Sequence, residues 1–160
     1  AGGIKNGDLE YWNLIENRIH EAGLTEVVQI NLRFIADDEI EVFFKAADLL
    51  VLPYRSIFQT GVLFLGYDFG LPALVTDVGD LRSDIVIGET GLVCASEDPQ
   101  ALAKGVREYL ASQMFKMLPQ TREKIKTWAH ERYSWSRVAS LTRRVYDNME
   151  GVLGMDRAPQ

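Results

Sequence analysis

The residues best placed to do chemistry stand together in mid-chain, in the run Gln59-Thr60-Gly61-Val62. An apolar segment, Leu49-Leu50-Val51-Leu52, precedes them and stops at Pro53; an apolar helical stretch follows and stops at Gly70. This order predicts a buried strand, a loop, and a helix from Gly61 to Phe69 with Thr60 as its N-cap. The first amides of such a helix, on Gly61, Val62 and Leu63, have no partner within the helix. Gly61 carries no side chain to block approach, and the Thr60 hydroxyl adds a hydrogen-bonding group. Such a site suits a phosphate or diphosphate, held by local dipoles rather than by net charge. The same pattern fits any α/β protein in which Thr60 merely caps and Gly61 merely turns, and the motif alone favours that plainer reading.

Around this run lie residues with two readings each. Arg55 can meet a phosphate as a charged donor or face solvent. Tyr54 can pack beside a ligand or cover the strand end. Asp77 and Gly79 follow a second strand end, where they line a cleft or form a β-turn. His20 and His130 have no second ligand at metal spacing, so no metal is expected. No Ser/His/Asp or Cys/His arrangement emerges. Trp12, Phe43, Phe44 and Trp128 fall on helical stripes and read as core; Trp135 reads as core or as a contact for a further domain.

The elements that must position these groups alternate in kind. A helical pattern (Leu9, Trp12, Ile15, Ile19, Ala22) ends at Gly23, and Val27–Leu32 reads as a strand. Asp38 and Glu41 have capping-box spacing ahead of Ile40, Phe43, Phe44 and Ala47. After the mid-chain helix come short strands at 73–76 and 92–94. Asp98-Pro99 then opens a helix with Leu102, Val106, Tyr109 and Leu110 on its inner face. Two helices follow, around Ile125, Trp128 and Ala129, and from Ser134 through Met149. Strands apolar throughout, alternating with helices, predict an α/β protein: a Rossmann-like, doubly wound parallel sheet with helices on both faces. Ligands of such sheets bind at the C-terminal strand ends, here after Leu32, Leu52 and Thr76.

Composition narrows the partners. The 160 residues hold 17 Lys+Arg against 23 Asp+Glu, a formal net charge of −6, which argues against nucleic acid. The hydrophobic share of 47% supports a sizeable core. Cys94 is the only cysteine, so no internal disulfide forms and nothing asks for an oxidising compartment. No apolar run reaches the length of a membrane span, and the first residues lack a signal-peptide pattern. A cytoplasmic location is the default.

The order of the pieces resembles the C-terminal domain of the family-four (group 1) retaining glycosyltransferases, built as two facing Rossmann-like domains in the GT-B architecture. Arg33-Phe34-Ile35 is similar to the turn that receives the nucleobase. Residues 44–54 resemble the helix and strand leading into the donor loop, and residues 69–79 the segment behind the diphosphate. Residues 88–93 with Asp98-Pro99, and Tyr133-Ser134-Trp135, resemble the closing elements. Many members carry Glu-x7-Glu around the donor loop. Here those positions are Ile57 and Leu65, and the loop resembles the Gln-Ser/Thr-Gly variant.

The resemblance implies a nucleoside-diphosphate-sugar donor with its diphosphate at Gln59, Thr60, Gly61 and Val62 and its base beside Arg33, Phe34 and Ile35. It implies no cofactor and no bound metal, and retention at the anomeric carbon. A glycan, lipid or small-molecule acceptor would sit on another domain. It implies that residues 1–160 form one incomplete domain, with about 40 residues of its first strands absent, judged by ordinary element lengths. Such a fragment is expected to bind donor without turnover. For relatives with lipid-linked acceptors the membrane surface is a further location. The alternatives are a non-catalytic nucleotide- or anion-binding module and a partner-binding domain without a small ligand.

Overall fold

The computed structural model describes residues 9–155, with side chains through residue 149. The chain divides into two compact units, Ala1–Phe43 and Phe44–Gln160. Ala1-Gly2-Gly3, which by the family resemblance would be the turn after a second strand, lies outside the described residues.

In the first unit, helix α1 spans Leu9–Glu21. It ends as its glycine demands: Gly23 takes φ +67°, and Leu24 N–H donates back to the Ile19 carbonyl at 3.0 Å. The expected strand at 27–32 does not form. Val27 and Val28 N–H both donate to the Leu24 carbonyl, curling the chain into a turn, and the segment joins no ladder among the described residues. β-Branched residues favour a pleated surface only where a neighbouring strand supplies one. Helix α2, Asp37–Ala46, begins two residues earlier than the Asp38–Glu41 spacing indicated. Glu39 reaches back to the Ala36 amide at 3.4 Å, so the carboxylate half of a capping box sits at 36/39.

The second unit is built on a three-stranded parallel sheet, β1 (Leu50–Leu52), β2 (Ala73–Thr76) and β3 (Gly91–Cys94), in that spatial order. Leu50, Val51 and Leu52 pair with Ala73, Leu74 and Val75, and these in turn with Gly91, Leu92 and Val93. Helix α3 (Gly61–Asp68) connects β1 to β2, and a 3-10 turn at Leu81–Asp84 lies between β2 and β3. Helices α4 (Pro99–Ala111), α5 (Gln113–Lys116), α6 (Leu118–Tyr133) and α7 (Trp135–Met155) follow.

Successive strand side chains point to opposite faces, and both faces are covered. On one, Ala73 and Val75 join a buried cluster with Leu63 and Tyr67 of α3 and Ile125 and Ala129 of α6. On the other, Leu74 lies against Gly105 of α4, where an added Cβ would come within 2.8 Å of the leucine Cδ1. The parallel α/β expectation therefore holds, with helices on both faces. At the end of α3, Gly70 adopts φ +69° against the Arg122 backbone. The Arg122 guanidinium donates to the carbonyls of Phe44, Ala47 and Phe69, satisfying helix-end acceptors.

Several side chains depart from expectation. Leu110 is exposed rather than on the inner face of α4, because the α4 face centres on Gly105 and Tyr109. Trp135 is 87% exposed and is not core. Trp12, Phe43, Phe44 and Trp128 are half-buried.

Candidate functional site

The site is assembled from the three loops that leave the C-terminal ends of β1, β2 and β3. Helix α3 begins where the sequence placed it. Thr60 is the N-cap, with extended backbone (φ −139°, ψ 132°), and its Oγ1 accepts the Val62 amide at 3.3 Å. That cap corrects one expectation: the Val62 N–H is not an unpaired donor. The Gly61 and Leu63 amides take no partner among the described residues. Nothing lies within 4 Å of a Cβ built on Gly61, so the space before the helix start is open. Thr60 itself is buried, and its hydroxyl lies 3.5 Å from the Tyr54 hydroxyl. Gln59, Gly61 and Val62 are exposed.

Other bonds fix the loop of residues 53–60. The Thr76 hydroxyl, at the end of β2, donates to the Tyr54 carbonyl at 2.6 Å, and Ser96 Oγ, after β3, donates to the same carbonyl at 3.4 Å. The turn after β2 closes on the loop from the other side. Gly79, at φ +55°, packs where a Cβ would overlap the Ile57 and Phe58 carbonyls, and the Asp80 amide donates to the Phe58 carbonyl at 2.9 Å. Gly79 thus serves the turn and the close approach together. Asp77 faces solvent and pairs with Arg82 at 3.0 Å. Arg55 reaches across to Glu97 after β3 at 2.6 Å. Arg55, Glu97, Thr76, Pro53 and Asp98 help line a cleft of about 260 Å³ over the strand ends.

The far end of the same β2 segment is anchored in the core. Asp84 closes the 3-10 turn and is buried; its Oδ1 accepts the Tyr133 hydroxyl at 2.9 Å, and its Oδ2 has no partner among the described residues. The Tyr67 hydroxyl donates to the Asp84 carbonyl at 2.8 Å and lies 3.2 Å from Thr90 Oγ1. Burial raises the Asp84 carboxyl above the ordinary carboxylate range, the Tyr133 hydrogen bond opposing it in part. Burial also pushes the Tyr133 phenol up to about 12, so it remains a donor at neutral pH. Neither Asp84 nor Glu97 stood out in the sequence: a single carboxylate in a polar stretch carries no periodic or motif signal.

The structure brings Tyr54, Arg55, Thr60, Gly61, Asp77 and Gly79 together at one end of the sheet. Arg33, Phe34 and Ile35 belong to the first unit. There Arg33 forms a two-pronged pair with Glu39, at 2.6 Å for each nitrogen, and donates to the Phe34 carbonyl at 3.3 Å. Phe34 is exposed and Ile35 half-buried. Among the described residues, no group of three or more His, Cys, Asp or Glu side chains is arranged to hold a metal ion.

A parallel sheet with helices packed on both faces defines a Rossmann-like α/β class. The glycosyl transferases group 1 family matches residues 6–112, more than half of the chain, and the chain belongs to that family. It is 25% identical over 154 residues to the D-inositol 3-phosphate glycosyltransferase of Corynebacterium urealyticum, covering 93% of this chain and 34% of that protein. The chain thus spans about a third of the length of the relatives it matches. Among solved structures, the sucrose-phosphate synthase of Thermosynechococcus elongatus superposes with TM-score 0.71 at 21% identity, over 88% of this chain and 34% of that one. Anabaena HepE, solved in complex with UDP, gives TM-score 0.74 at 16% identity, over 94% and 39% of the two chains. These neighbours fix the fold as that of the GT-B glycosyltransferases. No helix among the described residues is long and apolar enough to cross a membrane.

Proposed function

We propose that this chain is the donor-binding part of a retaining glycosyltransferase, holding a nucleoside-diphosphate sugar with its diphosphate at the start of α3. The observation that carries this reading is the open helix start at Gly61, whose amide has no partner among the described residues and whose preceding loop is held by contacts from beyond β2 and β3. Transfer builds negative charge on the diphosphate leaving group. Amides fixed in advance stabilise that charge without reorganising. Gly61 and Leu63 supply such donors, Thr60 orients them through its cap, and Gln59 stands beside them as a side-chain donor. The site needs no metal in this reading, because the dipoles act directly on the diphosphate. Anabaena HepE, in complexes with UDP and with UDP-glucose, is a neighbour of matching fold that supports the ligand class.

Calorimetric titration with a panel of nucleoside diphosphates and their sugars tests the proposal, with and without a chelator. Binding tightened by the sugar and indifferent to the chelator is expected. Equal affinity for bare nucleotides would favour a binding module, and no binding at all would overturn the reading. Retention is tested by the anomeric configuration of any glycoside product formed.

A further inference from the structure

Glu97 is the one described residue other than glycine with positive φ, at +56°. Side chains are held in that region at a cost, and where they persist the strain tends to serve a site. Glycine or asparagine would fill the position more cheaply. The carboxylate that is kept there instead meets Arg55 at 2.6 Å, bridging the loop after β1 and the loop after β3 across the mouth of the strand-end cleft. Helix α4 does not require Glu97 as its cap. Asp98 fills that role, its Oδ1 accepting the Gln100 and Ala101 amides at 2.9 and 3.0 Å.

We propose that Glu97 is an internal substitute for the ligand's anion, holding Arg55 at the cleft mouth until a donor diphosphate takes the guanidinium over. The proposal rests on the donor-binding reading above and adds to it a positioning residue and an exchange. Both partners are largely exposed, with side chains 80% and 58% accessible, so their pairing is weak and easily traded. A diphosphate presents more anionic oxygens to the guanidinium than the Glu97 carboxylate does. Arg55 begins only five residues before Thr60, on the same loop, so a moved guanidinium stays at the strand ends where α3 starts. The exchange also sets selectivity: a ligand with one weak negative charge gains little by displacing Glu97, whereas a diphosphate gains.

A double-mutant cycle on the 160-residue chain, read as the Kd for UDP, tests this. Glu97→Gln removes the competitor and is expected to tighten binding about three- to fivefold, the worth of an exposed ion pair. Arg55→Ala is expected to weaken it about tenfold or more, as loss of a charge-assisted contact does. In the Arg55→Ala background, Glu97→Gln is expected to change nothing beyond twofold. Glu97→Gly is expected to bind as Glu97→Gln does and to melt at a higher temperature, since the backbone strain is relieved. Circular dichroism of each variant separates misfolding from lost contacts, and Arg55→Lys, which keeps the charge, is expected to fall between wild type and Arg55→Ala. If Glu97→Gln tightens binding equally without Arg55, the effect is a general field and the exchange is overturned. It is equally overturned if either single substitution leaves the Kd unchanged while wild type binds. If wild type binds no nucleoside diphosphate, the donor-binding reading falls first and the exchange with it.

Discussion

The amide of Asp80 donates to the carbonyl of Phe58 at 2.9 Å, and with it the turn after β2 becomes a clamp on the loop that leads into α3. The clamp depends on Gly79. A Cβ there would overlap the Ile57 carbonyl and lie 2.5 Å from that of Phe58, and φ is +55°. Gly79→Ala must therefore push the loop away from the turn. The expected result is a loss of about 1–3 kcal/mol in stability, the usual cost of a strained backbone or an overpacked contact. UDP affinity is expected to fall with it, because the helix start is no longer held. Thermal melting and calorimetry read the two effects.

Thr60 acts on the same helix from inside. Its Oγ1 accepts the Val62 amide at 3.3 Å, and its hydroxyl meets Tyr54 at 3.5 Å. Thr60→Ala is expected to lower stability by about 1 kcal/mol, as loss of an N-cap does. Thr60→Ser, which keeps the acceptor, is expected to stay within a few tenths of a kcal/mol of wild type. Chemical denaturation of the two variants side by side separates the cap from the lost methyl group.

Tyr67 supports the β2 segment from below. Its buried hydroxyl donates to the Asp84 carbonyl at 2.8 Å. Tyr67→Phe leaves that carbonyl without its donor and is expected to lower stability by about 1–3 kcal/mol, measured by denaturant titration. Thr90 Oγ1 keeps its bond from the Val86 amide at 2.9 Å, so the loss stays local.

Asp84 makes the fold sensitive to pH. Burial raises its carboxyl in the folded chain, so the folded state holds its proton more tightly than the unfolded one. The stability this provides is fully present below the ordinary carboxylate range and is lost as pH rises through the raised value. Asp84→Asn keeps an oxygen for the Tyr133 hydroxyl and removes the titration. The melting temperature of the variant relative to wild type is expected to rise between pH 4 and pH 8. A difference that stays constant over that range would contradict this assignment.

Much of this second unit was legible in the sequence for reasons that are local. Thr60, Gly70, Asp98 and Pro99 carry their conformational preferences in their own side chains or lack of one. α3 and α4 therefore begin where the spacing put them, the strand at 73–76 forms as expected, and the one expected at 92–94 forms over 91–94. The 27–32 segment misled because strand identity depends on a partner, and Val27 and Val28 donate back to Leu24 instead. Leu110 misled because a helix face is chosen by what packs on it, here Leu74 against Gly105. In the site, the helix start could be read from Thr60-Gly61. The clamp at Gly79, the Asp84–Tyr133 bond and the strained Glu97 could not, since each joins residues far apart in the chain by contacts that leave no periodic trace.

In the proposed function, the amides opening α3 hold the donor's diphosphate. Amide-resolved NMR during a UDP titration, in wild type and in Gly61→Asp, tests it most directly. Saturable binding is expected with the largest shifts at Gly61 and Leu63, and loss of that binding when a carboxylate stands at residue 61. Saturable binding with its shifts elsewhere, for example around Gln113, Gln120 and Trp128 in the cleft of about 370 Å³ beside α5 and α6, would contradict it.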